Sequence, residues 1–222
     1  MHRATGRGLF TLLMAWATAL GCDGERGEGT PAAEHASWVS PIVAIVFFDR
    51  ATGQAVPERW DAIDAAFRAE PGFRRNLLFG AQQSEHPYVN FAVWERATNL
   101  AAAMEKPELR ALLPDAAVGT YERAVHRGDI REPGAAITIV PITRPDENME
   151  EKFRLAGEWF GQRDGFVGAM LLRRVGGDTA PYVLIARWTS ADAFRGVTAD
   201  QDFPLHTSGA EGVLGTYVPV NP

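Results

Sequence analysis

The chain carries one set of landmarks twice, in the same order and at nearly one spacing. Gly72-Phe73 recurs as Gly165-Phe166, 93 positions later. Pro87-Tyr88-Val89 and Trp94 recur as Pro181-Tyr182-Val183 and Trp188, 94 later. Gly119-Thr120-Tyr121 recurs as Gly215-Thr216-Tyr217, 96 later. Such a period is too long for a solenoid and fits a duplicated small domain. The fold must therefore join two pseudo-symmetric halves, and function is to be sought between them or in one of them.

The first 21 residues read as a leader. His2, Arg3 and Arg7 make a basic start, and the 14 residues from Gly8 to Gly21 form an apolar run. That length suits a signal-peptide core and is too short to span a bilayer. The run ends in Ala19-Leu20-Gly21-Cys22, which resembles a bacterial lipobox with Ala19 where leucine is usual. It implies cleavage before Cys22 and lipidation of that residue. The plainer alternative is secretion with an incidental cysteine. Lipidation by more than one chain would give firm membrane attachment, in the bacterial envelope and facing the periplasm or exterior. Whether the inner or the outer membrane is meant stays open. Residues 22–38 are the expected lipidated cysteine and flexible tether, rich in Gly, Glu, Ala and Pro. Cys22 is the only cysteine, so no intrachain disulfide can form. The 22 basic residues less Arg3 and Arg7, against 28 acidic ones, give the mature chain a net charge of −8. With no basic stripe, a nucleic-acid partner is not expected.

Each half shows the same order of elements. In residues 39–127 a continuous apolar strand (42–48) precedes a helix opened by Pro57, whose buried stripe is Trp60, Ile63 and Phe67. Strands at about 73–81 and 87–94, a helical region at about 97–113 broken at Pro107, and a strand at about 117–126 follow. Residues 128–134 are a Pro/Gly connector. Residues 135–222 repeat the plan: a strand at 136–142, a helix opened by Pro145 with Met149, Phe153, Ala156 and Phe160 on one face, strands at about 166–175 and 181–188, a helix at 191–197 capped by Ser190, and a strand at about 213–220. Each half is thus βαββαβ, ferredoxin-like. A single four-stranded sheet covers only one face with helices, so the expected fold is α+β, two halves closing an intramolecular barrel. A monomeric pseudo-dimer follows.

With EPGF (70–73), YVNFAVWE (88–95), DGF (164–166) and YVLIARWTSADAF (182–194), both halves resemble the antibiotic-biosynthesis-monooxygenase (ABM) domain. The resemblance spans roughly residues 40–126 and 135–220. It implies the dimeric α+β barrel, fused here into one chain. It also implies cofactor-independent oxidation of a small aromatic or apolar substrate, with O₂ attacking a deprotonated, electron-rich ring system. A branch of the family degrades haem with Asn on the first strand and Trp then His near the second helix. Here the first strands hold no Asn, and Ala102 and Gly196 stand at the Trp position. Only His206 matches, so a haem cofactor is disfavoured.

His206, whose first-half counterpart is Leu112, is the candidate catalytic base. The alternative for it is a surface or core histidine. Trp94 and Trp188 are candidate pocket residues, with strand-end packing as the competing role. Asn90 and Arg187 are polar residues inside apolar strands, matched by Leu184 and Val93; they should face opposite sides of their sheets. Arg173 and Arg174 are further candidates. A buried polar side chain needs a partner, and a ligand can serve. His86 and His126 are expected in solvent. No metal-ligand spacing, nucleophile elbow, P-loop or dinucleotide fingerprint is present. The alternatives to an enzyme are a non-catalytic small-ligand binder and a structural envelope lipoprotein.

Overall fold

The computed structural model describes residues 41–53, 55–81, 84, 86–113, 116–128, 136–203 and 215–220. Cys22, His206 and the expected leader and tether lie outside them.

Eight antiparallel strands close a barrel in the order β1-β3-β2-β8-β5-β7-β6-β4. The first half contributes β1 (Ile42–Phe48), β2 (Phe73–Gly80), β3 (Tyr88–Trp94) and β4 (Ala117–Gly128). The second contributes β5 (Ala136–Ile142), β6 (Phe166–Gly176), β7 (Tyr182–Trp188) and β8 (Gly215–Pro219). Each half forms one sheet, and the sheets meet at two seams, β4 with β6 and β2 with β8. The helices lie outside: α1 (Arg50–Gly53), α2 (Val56–Arg68), α3 (Ala97–Met104) and α4 (Pro107–Leu112) in the first half, α5 (Met149–Phe160) and α6 (Ala191–Thr198) in the second. This is the α+β barrel the repeat requires.

Period-two alternation assigns every strand residue to one of two environments. Inward-facing Ile45, Phe47, Phe79, Val89, Phe91, Ile139, Leu172, Val183 and Ile185 fill the barrel with Tyr121 and Tyr217. An eight-stranded barrel is just wide enough for such side chains, so the space between the sheets is occupied. Outward-facing residues pack under the helices in two separate cores, one for each half. The apolar run of β1 is buried on both faces for this reason.

The two Gly-Thr-Tyr copies lock the seams. The Tyr121 hydroxyl donates to the Ala180 carbonyl (3.1 Å) and bonds the Thr179 hydroxyl (2.8 Å), both in the β6–β7 turn of the other half. The Tyr217 hydroxyl donates to the His86 carbonyl (3.1 Å) and bonds Ser84 (2.9 Å), both in the β2–β3 turn. A Cβ on Gly119 would collide with the Tyr121 ring and with Thr179, so only glycine lets that ring lie flat.

Two local readings need correction, and one short helix is added. The second-half helix begins at Met149 rather than Pro145; residues 147–148 form a turn in which the Met149 N–H reaches the Asp146 carbonyl (3.2 Å). The short α1 has no sequence periodicity to announce it. His86 is half-buried, with its ring against Phe47 (centroids 5.2 Å) rather than in solvent; His126 is exposed on β4.

Candidate functional site

Asn90, Ala92 and Trp94 alternate outward on β3, facing the first-half helices together with the rest of that core. On one side Val46, Ala44 and Ile42 of β1 pair with them; on the other, Leu78 and Asn76 of β2 pair with Asn90 and Ala92. Two alanines therefore make a low floor between Asn90, Asn76 and Trp94. Leu100 and Ala103 of α3, Leu109 of α4 and Leu113 cover it.

Three polar atoms on this face are buried and have no hydrogen-bond partner: Trp94 Nε1, Asn90 Oδ1 and Asn76 Nδ2. Asn90 and Trp94 are both 0 % exposed. The Asn90 amide donates to the Asn76 side-chain oxygen and to the Leu77 carbonyl (3.0 Å). That fixes which ends of the two amides are left over. Two unused donors and one unused acceptor thus lie on one largely apolar face. Each such orphan costs about 1–3 kcal/mol.

The same positions of the second half carry none of this. Thr138 replaces Ala44, Ala169 replaces Asn76 and Leu184 replaces Asn90. Trp188, 1 % exposed, donates its indole N–H to the Thr138 hydroxyl at 3.1 Å. Its ring packs in a cluster with Phe160, Phe166 and Phe194. Trp188 is thus a satisfied packing residue, and Trp94, packed on Phe67 and Phe73 in the same way, is not satisfied.

Asn90 and Arg187 do face opposite sides of their sheets. Asn90 lies on the helix side, and Arg187 alternates with Val183 and Ile185 on the barrel side, where it is 4 % exposed. Arg173 is an exposed surface residue bonded to Glu122 (2.7 Å) across the β4–β6 seam and to Glu150 (2.9 Å). Arg174 lies 4.0 Å from Asp178. Leu112 is half-buried in the first-half core. Sequence reasoning singled out Asn90 and Trp94 but missed Asn76, which sits among exposed arginines on β2. No sequence signal marks it: Asn76 takes its helix-side place through the register that follows the bulge at Phe73, and Trp94, opposite Ile42 and Phe73, has Ala44 where its twin has Thr138.

Among the described residues no three metal-ligating side chains cluster, and no helix is long and apolar enough to cross a membrane. The polar groups described in these layers are amides, an indole and a hydroxyl; His206 lies outside the described residues.

The fold is similar to that of an anthrone oxidase-like protein, at 15 % identity over 84 % of this chain and 93 % of that one, with a TM-score of 0.64. A proposed monooxygenase from Fusobacterium nucleatum subsp. nucleatum ATCC 25586 is similar at 9 % identity, 83 % and 94 % coverage and a TM-score of 0.58. A ferredoxin-fold protein related to antibiotic biosynthesis monooxygenases, from Listeria monocytogenes 4b F2365, is similar at 12 % identity, 85 % and 100 % coverage and 0.50. No known family profile and no curated protein matches the chain. The likeness is one of fold, an α+β barrel.

Proposed function

We propose that the protein is an ABM-type, cofactor-independent monooxygenase for a small aromatic substrate, with one active layer, in the first half. The supporting observation is that the unpartnered Trp94 Nε1, Asn76 Nδ2 and Asn90 Oδ1 all lie on one otherwise apolar sheet face. Ring surface suits the alanine floor. A substrate oxygen would accept from the indole and amide N–H groups, and a substrate hydroxyl would donate to the Asn90 oxygen. Donors aimed at an oxygen favour its anion, and an enolate or phenolate is the species that gives electrons to O₂. For a methylene flanked by aromatic rings, C–O bond formation and loss of water convert CH₂ and O₂ into C=O and H₂O. The fold likeness to an anthrone oxidase-like protein is in keeping with this chemistry. No proton acceptor is assigned to this layer; the sequence-based candidate, His206, belongs to the second half and lies outside the described residues.

The test is oxygen consumption with hydroxylated anthrones and naphthols. Wild type should consume O₂, and Trp94→Phe should reduce turnover about 10²-fold, the scale of losing one charge-stabilising donor. No consumption across the panel would leave a non-catalytic small-ligand binder or a structural envelope protein. We propose further that Cys22 is lipidated and anchors a monomeric pseudo-dimer to the cell envelope. Cys22→Ser should then abolish lipid labelling and membrane sedimentation, and the tether-free domain should scatter light as a monomer.

A further inference from the structure

In each half the turn after the first helix is bonded to the residue that lies two past the end of the second long helix. In the first half, Lys106 Nζ lies 2.7 Å from Glu70 Oε1, and Lys106 follows α3 by two residues. In the second, Arg163 Nη2 lies 3.1 Å from Asp200 Oδ2, and Asp200 follows α6 by two. Glu70-Pro71-Gly72-Phe73 and Arg163-Asp164-Gly165-Phe166 are the same stretch of the repeat. The two ion pairs therefore occupy one place with both charges exchanged. Exchange of one partner alone would set like charges face to face, so the joint is kept while its sign is reversed.

The joint closes the first-half layer. The start of α3 is fixed at the turn by a Glu95 N–H bond to the Gly72 carbonyl (2.8 Å) and by Asn99 lying over Gly72, where a Cβ would collide. Past the end of α3, at the elbow into α4, the tie is Glu70 with Lys106. The Glu70 side chain is 9 % exposed, so it needs that partner. The atoms beneath this cover have no access to solvent; a ligand must displace part of it. The matching line in the second half is loosely filled. A surface groove of about 460 Å³ runs there between Arg163, Gly165, Thr189, Ala193, Gly196 and Asp200, and a Cβ on Gly196 would meet nothing within 4 Å.

We infer that α3–α4 is a hinged cover over the first-half layer, pivoting at the Gly72 turn, and that the Glu70–Lys106 pair is its latch. What the cover admits rests on the function proposed above; the latch does not. The experiment is amide hydrogen exchange on the full chain. Glu70→Gln should raise exchange over 97–112 about fivefold, the scale of one ion pair, and Glu70→Arg should raise it further. Glu70→Arg with Lys106→Asp rebuilds the second-half pair and should return exchange to within about twofold of wild type. Exchange over 88–94 should not move, and Arg163→Gln should loosen 191–198 while leaving 97–112 alone. Unchanged exchange in Glu70→Arg, no recovery in the double variant, or an equal rise over 88–94 would overturn the latch. The same variants are then mixed with 1-naphthol and followed by tryptophan quenching. Faster association in Glu70→Arg is expected. Exchange as expected with no naphthol association in any variant would keep the latch and remove the aromatic ligand.

Discussion

On the second-half face the Trp188 indole ends on Thr138, with leucine and alanine around it; on the first-half face the Trp94 indole ends on nothing, with two asparagines beside it. The registers are the same, so the two faces differ in side chains rather than in backbone. One half shows what this layer looks like when it serves packing alone. The other keeps three orphaned polar atoms at a cost that packing does not require. That contrast, within one chain and one geometry, is the strongest argument that the first half carries the site. The sequence-based candidate His206 belongs to the second half and lies outside the described residues.

The sharpest way to break the comparison is to make the faces alike. Asn90→Leu with Asn76→Ala gives the first half the second half's residues. Turnover with a hydroxylated anthrone should fall at least about 10²-fold, while Trp188→Phe should leave it within about threefold. Equal losses from both would mean that the halves share the work. The same double variant should be more stable than wild type, because buried orphans are replaced by apolar groups; a lower urea midpoint would show the asparagines to be structural.

A smaller effect isolates the indole. Ala44→Thr supplies the first half with the hydroxyl that Thr138 gives Trp188. It should stabilise the fold by about 1 kcal/mol and compete with substrate, raising KM. Thr138→Ala should do the opposite to stability, costing about 1–3 kcal/mol, with KM unmoved. If Ala44→Thr destabilises, the floor has no room for a methyl and hydroxyl, and the alanines serve close packing.

Much of this was legible in the sequence, for a physical reason. The continuous apolar run of 42–48, taken with the repeat and the uncovered face of each four-stranded sheet, implies two sheets and a shared interior, and the structure has them. The helix stripes Trp60-Ile63-Phe67 and Met149-Phe153-Ala156 are buried as their spacing requires, and Phe160, the last of the second stripe, is partly buried. Asn90 was visible as polarity in an apolar strand. What was not legible is which polar atoms remain unpaired, since that depends on cross-strand neighbours set by register. Asn76 meets Asn90 only through a bulge, and Trp94 differs from Trp188 only through a residue 50 positions away, on another strand. The charge-exchanged latch is likewise invisible until the turn and the elbow are in contact.

The smallest effects lie at the seams, where the halves are alike rather than different. Tyr121 and Tyr217 each reach a turn of the opposite half, so each Tyr→Phe variant should cost about 1 kcal/mol, and the two losses should be nearly equal. Both phenols titrate above their usual 10.0, chiefly because burial disfavours the anion; the bonds to Thr179 and Ser84, and the Arg174 charge near Tyr121, oppose it. A raised value means that the folded chain holds the proton longer than the unfolded chain. The contribution is complete below 10.0 and is lost as pH rises through the folded value, so stability should fall with increasing alkalinity. Urea midpoints at about pH 8 and about pH 10.5 measure this slope. The double variant, with neither phenol, should fall less steeply than wild type. An equally steep fall would place the alkaline sensitivity elsewhere. Markedly unequal losses from the two single variants would show that the pseudo-symmetry of the seams, unlike that of the landmarks, is only approximate.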